Sequence, residues 1–143
     1  MISFKSIKAG FDLKEPAFFR SWLKNILERE GNYKVGDIQY IFCDDEYLLK
    51  INKKYLNHNT FTDIITFPVV LNERIISGEV FISIDRIIEN RNVYQVTLHD
   101  ELSRVMVHGL LHLLGYVDQT KDEKAIMTAK EDYYLSLQPK KLH

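Results

Sequence analysis

The chain is poor in the residues that staple, kink or loosen a fold: its 143 residues include one cysteine, three prolines and six glycines. A single cysteine excludes an internal disulfide. Cys43 closes the apolar run of "IQYIFCDD" and reads as a buried strand residue, a small hydrophobe rather than a reactive thiol. A chain of this length buries an adequate core without staples, so a metal bound to it serves function rather than folding. The cysteine usage is compatible with a reducing compartment. No apolar run approaches the ~18 residues of a membrane span. The start "MISFKSIKAGFDLK" lacks the basic, apolar and small-residue regions of a secretion signal. A cytoplasmic location with no membrane partner is the expectation. Charge of one sign is also missing, with 19 basic and 20 acidic residues and a net charge of −1. That excludes a protein that coats nucleic acid through a large basic field, and leaves room for an enzyme with a local basic patch.

Scarce glycine and proline leave no linker, and no repeat is visible, so one domain over residues 1–143 is expected. "ISFKSI" alternates like a strand. "EPAFFRSWLKNILERE" carries apolar residues at helical spacing, with Pro16 suited to the first turn and Gly31 ending it. "VGDIQYIFCD" is a strand, and "DDEYLLKINKKYL" a helix capped by Asp44 or Asp45. The polar "NHNTFT" is a loop. "TDIITFPV" is a strand that Pro68 limits or places at a sheet edge. "ERIISGEVFISID" is a strand with a turn or bulge at Gly78. Three helices follow: "DRIIENRNVY", a long apolar one from Leu98 to Leu114, and "KDEKAIMTAKEDYYLSL". The order predicts an α+β fold, a mixed sheet of about four strands packed by helices, with strand order open.

The chemistry lies in "VMVHGLLHLLGYVDQT", Val105 to Thr120. Thr97 and Asp100 form a capping-box pattern that starts this helix, and Gly115 ends it in a left-handed turn. His108 and His112 are four apart, hence on one helix face, where two imidazoles can reach one ion. Gly115 lets the chain turn back, and Asp118 returns as a carboxylate ligand. Three protein ligands leave a fourth position for water, the pattern of a catalytic site. The spacing matches H-x-x-x-H-x-x-G-x-x-H with aspartate in the last place. Zinc peptidases of the H-E-x-x-H type carry a general-base glutamate where this chain has Gly109. Losing such help forfeits about 10²–10⁴ in rate, which weighs against peptide hydrolysis. A phosphodiester needs it less, because a metal both acidifies water and offsets phosphoryl charge.

These residues resemble the YbeY family, bacterial rRNA maturation factors described as metal-dependent single-strand-specific endoribonucleases. The family hallmark H-G-x-L-H-L-x-G-Y-D-H is similar to "HGLLHLLGYVD", His108 to Asp118. "INKKYL" and "FTDIITFP" resemble its L-N-x-x-Y-R and P-T-[DN]-V-L-S-F-P segments, and "GEVFIS" its G-D-I-x-I-S. The resemblance implies a zincin-like fold, one divalent metal, with zinc the ion expected, and a single-stranded rRNA precursor as substrate, notably the small-subunit 3′ end. It also implies the ribosomal small subunit or its proteins as partners, and no DNA. Three departures stand out: Asp118 replaces the family's third histidine, Leu56 its arginine after the tyrosine, and Arg104 a histidine one turn before the first ligand.

The metal ligands expected are His108, His112 and Asp118. Arg104, on the same helix face, is a candidate phosphate contact or else a surface ion pair. Asp63 is a candidate for orienting water or a ligand, or else a turn aspartate. Lys50, Lys53 and Lys54 read as a solvated face or an RNA contact, Tyr116 as core or a base-stacking ring, and His58 as a loop or groove histidine. Beside the endoribonuclease stand two other readings: a zinc metallopeptidase with its base brought from elsewhere, and a non-catalytic ribosome assembly factor whose metal only orders the Gly115–Asp118 turn.

Overall fold

A computed structural model describes residues 1–58 and 62–139. Asn59, Thr60 and Phe61, inside the expected loop and the second family-like segment, lie outside the described residues. The chain runs β1 (Ile2–Ser6), α1 (Pro16–Gly31), β2 (Lys34–Cys43), α2 (Asp45–Leu56), β3 (Ile64–Asn72), β4 (Ile75–Ser83), α3 (Ile84–Tyr94), α4 (Leu98–Leu113) and α5 (Lys121–Ser136). This is the α+β order expected from the sequence.

The strands form one sheet in the order β1-β2-β4-β3. β1, β2 and β4 are mutually parallel, and β3 returns antiparallel along β4. β3 is therefore an edge strand, which is where proline is tolerated, and it continues past Pro68 as far as Asn72. Gly78 stays in the β4 ladder instead of making a turn or bulge. The register shifts fall on the strands flanking it, between Val35 and Ile38 of β2 and between Val69 and Asn72 of β3. What Gly78 provides is a close approach: with φ at 155°, an added Cβ would lie 2.7 Å from the Phe67 carbonyl oxygen.

Alternation sorts the side chains onto two faces. Ile38, Tyr40 and Phe42 of β2, with Val80 and Ile82 of β4, join the main core under α1, α4 and α5. Cys43, Ile65 and the half-buried Phe67 and Phe81 face the other way, against Leu48 and Ile51 of α2. Burial pushes the Cys43 thiol up to about 12, with the nearby Asp44, Asp85 and Asp45 adding to it, so the residue is inert at neutral pH.

Local chemistry sets the helix ends. Asp44 caps α2 by accepting from the Tyr47 amide at 2.8 Å. Asp45 is used elsewhere, accepting from Ser83 Oγ at 2.7 Å and from Arg86. Thr97 caps α4 through the Asp100 amide, while the complete reciprocal box forms one helix later, between Thr120 and Glu123. α4 is buried along most of its length, against β3, β4, α3 and α5. Its fully buried Met106, Leu110 and Leu111 each contribute about 1.5–3 kcal/mol of burial energy. Tyr40 Oη also donates to the Met106 carbonyl at 2.9 Å, tying this helix to the middle of the sheet.

Candidate metal centre

α4 ends in a Schellman turn. The Tyr116 amide donates to the Leu111 carbonyl and the Gly115 amide to the His112 carbonyl, both at 3.0 Å. Gly115 takes the left-handed position, φ 102°, in open space, so its role is conformational rather than steric. The reversal carries Asp118 back to the last turn of α4.

There His108, His112 and Asp118 converge, each offering one ligand atom, with all of these atoms within 4.8 Å of one another. The two Nε2 atoms are 2.9 Å apart, and the Asp118 oxygens lie 3.3 Å from His108 Nε2 and 3.7 Å from His112 Nε2. Donors about 2.0–2.1 Å from a tetrahedral ion stand roughly 3.3 Å from each other. The observed separations bracket that value, so the residues fit one divalent ion.

The outer nitrogens explain why the rings are set this way. His108 Nδ1 lies 2.7 Å from Glu131 Oε2 of α5. His112 Nδ1 lies 2.9 Å from the Tyr116 carbonyl oxygen, which can only accept. Both Nδ1 atoms therefore carry the proton, and both Nε2 lone pairs face each other. Two lone pairs opposed at that distance call for a cation between them.

Glu131, only 6% exposed, is the residue sequence reasoning missed. It sits on the apolar stripe of α5 with Met127 and Tyr134, and an acid at such a position was the available signal. Its other oxygen accepts from Arg104 at 2.9 Å, and Arg104 reaches Asp132 at 2.6 Å. Both guanidinium ends of Arg104 are thus engaged. Burial opposes protonation of His108, but the hydrogen bond and charge of Glu131, with Asp118 and Asp63 behind, hold its pKa above the ordinary histidine value. Asp63, directly before β3, has its carboxyl raised by burial, in spite of the opposing pull of His108.

Two grooves meet at this cluster. One of about 870 Å³ runs on the His108 side and includes Asp63, Glu101 and Arg104 in its lining. A smaller one, about 390 Å³, runs on the His112 side and includes His58 and Leu56. Asp63 and Arg104 therefore line the groove beside His108, and His58 lines the groove beside His112. Lys50, Lys53 and Lys54 are exposed on α2 and line neither groove. Tyr116 is half-buried, its hydroxyl donating to Glu30 at 2.6 Å. A Cβ on Gly109 would lie 2.7 Å from both Ile64 Cδ1 and Val80 Cγ1. The peptidase glutamate position is consequently the point where α4 touches the sheet, with no room for a side chain.

A buried helix ending in two pre-set imidazoles and a returning carboxylate is a group that could hold a divalent metal in the open, three-ligand arrangement. A family model described as Endoribonuclease YbeY matches residues 2–138. The chain is 48% identical over 127 residues to the Endoribonuclease YbeY of Cytophaga hutchinsonii, covering 89% of this chain and 88% of that protein. It is 43% identical over 137 residues to that of Flavobacterium psychrophilum, covering 96% of each. The chain belongs to the YbeY family. Its fold matches the solution structure of the Thermotoga maritima protein TM1509, with a TM-score of 0.65 and 23% identity, over 95% of this chain and 87% of that one. Among the described residues, no helix is long and apolar enough to cross a membrane.

Proposed function

We propose that residues 1–143 act as one metal-dependent endoribonuclease domain that cleaves single-stranded RNA in rRNA maturation. The observation that carries this is the convergence of His108 Nε2, His112 Nε2 and Asp118, with both Nδ1 protons pinned, in a chain of the YbeY family. Two imidazole nitrogens and one carboxylate suit zinc. Bound there, the ion supplies Lewis-acid stabilisation of phosphoryl charge and a nucleophile from water at neutral pH.

The chain's own residues do the rest. Glu131 holds the proton at His108 Nδ1 and the Tyr116 carbonyl holds the one at His112 Nδ1, which keeps both inner lone pairs free. Arg104, held by Glu131 and Asp132, orients the acid behind His108. Asp63 stands at the groove beside His108, where its buried carboxyl serves to orient water. The groove past His112 guides the strand. The small-subunit rRNA 3′ end as substrate, the ribosomal small subunit or its proteins as partners and a cytosolic location complete the proposal, supported by the family resemblance of the motif.

Purified protein should lose cleavage of single-stranded RNA on chelation and regain it with zinc. His112→Ala should abolish cleavage while its circular dichroism stays native. Cleavage that persists through both would refute the metal-nuclease reading. Metal analysis of Asp118→Ala beside wild type tests the third ligand, and full metal retention would remove it from the set.

A further inference from the structure

The two grooves that meet at the histidines differ in charge. The His112 side has no carboxylate in its lining among the described residues. The His108 side has Asp63, Asp100, Glu101 and Glu131, with Arg104 the only lysine or arginine among them. A chain of phosphates is attracted to neither, but it is repelled only by the second. Within a Debye length of about 8 Å, screening does not remove that repulsion.

The acidic groove nonetheless holds the makings of a site. Its walls are apolar and partly aromatic: Val105, Leu135, Val96 and an exposed ring, Tyr94. Glu101 lines it while being 6% exposed, and its carboxylate receives no hydrogen bond from the described residues. Its oxygens are not sealed off from the groove it lines, so they are open to a ligand that brings N–H groups. Burial, with the charges of Asp63 and Glu131, pushes the Glu101 carboxyl above its ordinary range in spite of the opposing pull of Arg104. The ligand must be uncharged or cationic, flat enough to lie on Tyr94, and rich in N–H donors along one edge.

We propose that this groove is a nucleobase subsite: the RNA backbone passes on the His112 side, and a base next to the scissile phosphate turns into the acidic groove, stacks on Tyr94 and is read by Glu101. This rests on the endoribonuclease reading above. Guanine presents two adjacent N–H donors to one carboxylate, adenine and cytosine an amino group, and uracil a lone N–H between two carbonyls. The subsite therefore favours guanine most and uracil least. Tyr94 is 65% exposed and outside the core, so its side chain can be removed at little cost to packing.

The test uses the zinc-loaded full chain and short single-stranded RNAs, with binding followed by stopped-flow fluorescence anisotropy in the initial phase, before cleavage products accumulate. Each position is varied in turn among guanine, uracil and an abasic sugar. At one position wild type should prefer guanine over uracil and lose affinity for the abasic strand. Tyr94→Ala should weaken the guanine strand by about 5-fold or more, the range of one lost base stack, and leave the abasic strand unchanged. Glu101→Gln, near-isosteric, should reduce the guanine-to-uracil ratio with zinc content unaltered. Equal affinity for every base and for the abasic strand overturns the proposal, and is also the outcome if the groove takes a basic peptide instead. A Tyr94→Ala protein that binds as wild type overturns it too. Absence of any RNA binding by wild type would instead count against the nuclease reading itself.

Discussion

His108 and His112 stand one turn apart on the same helix and aim the same atom at the same point, yet they are held by different kinds of partner. Behind His108 is a buried carboxylate from α5, itself fixed by Arg104. Behind His112 is a backbone carbonyl, placed by the Schellman turn that ends their shared helix. The first partner carries charge and can be changed by substitution. The second carries only a dipole and can be moved only by moving the chain. One histidine is thus tuned by electrostatics from a distant helix, and the other by local backbone geometry. This separates metal affinity into a part that responds to pH and to α5, and a part that responds to Gly115.

The largest effect expected from breaking this asymmetry comes from Glu131→Gln. The amide can still accept from His108 Nδ1, but the charge is gone, and Arg104 loses its buried partner. Zinc affinity should fall about 10–100-fold, as is typical when an outer hydrogen-bond partner of a metal ligand is lost. Competition with a chromogenic chelator measures it. An unchanged affinity would mean that Glu131 serves packing alone.

A smaller effect, and a more diagnostic one, is the pH response. The folded pKa of His108 is raised above the unfolded value. Its protonation therefore stabilises the metal-free fold fully below the unfolded pKa of about 6.5, and that contribution is lost as pH rises through the folded value. The ion requires the neutral imidazole, so zinc affinity should climb with pH across the same window. Glu131→Gln should move this window to lower pH, because the hydrogen bond and charge that raise the pKa have been weakened. A wild-type titration indistinguishable from that of the variant would sever Glu131 from the histidine electrostatically.

On the carbonyl side, Gly115→Ala meets no atom within 4 Å of the added Cβ, so its cost is purely that of a left-handed backbone, about 1–2 kcal/mol. Thermal unfolding should report that loss. Zinc affinity should drop only a few-fold, as the Tyr116 carbonyl and Asp118 shift together.

These two halves were not equally legible in the sequence. The i, i+4 histidines and Gly115 follow from helix periodicity and from the one residue type that adopts a left-handed turn cheaply, and both are local signals. Asp118 is six residues on and still within reach of the same turn. Glu131 is 23 residues from His108 and reaches it only because α5 packs on α4. In sequence it is one of two adjacent acids in "TAKEDYYLSL", and only its register with Met127 and Tyr134 marks it as buried. The carbonyl of Tyr116 has no residue signature, since every residue has one. The strand order β1-β2-β4-β3 was equally hidden, because alternation fixes which face a residue takes and says nothing about its neighbours. Gly109 was legible as a missing base, but its packing role depended on knowing that Ile64 and Val80 lie beneath it.

The smallest expected effect on zinc affinity is the sharpest control. Tyr116 touches the centre through its carbonyl, while its side chain points away: the hydroxyl donates to Glu30 at 2.6 Å, where Lys130 at 2.9 Å and the Tyr134 hydroxyl also converge. Tyr116→Phe deletes one of three donors to a carboxylate whose side chain is 5% exposed. Hydrogen bonds to charged groups contribute about 1.5–3 kcal/mol, so unfolding stability should fall by roughly that amount or somewhat less, as the other two donors remain. The backbone carbonyl is untouched, and zinc affinity should stay within about 2-fold of wild type if main-chain geometry alone holds His112. Parallel chelator competition and denaturant unfolding on this variant and on Glu131→Gln would separate the two supports. A Tyr116→Phe protein that loses zinc as strongly as Glu131→Gln would show that the turn depends on the Glu30 cluster, and that the two histidines are not independently held.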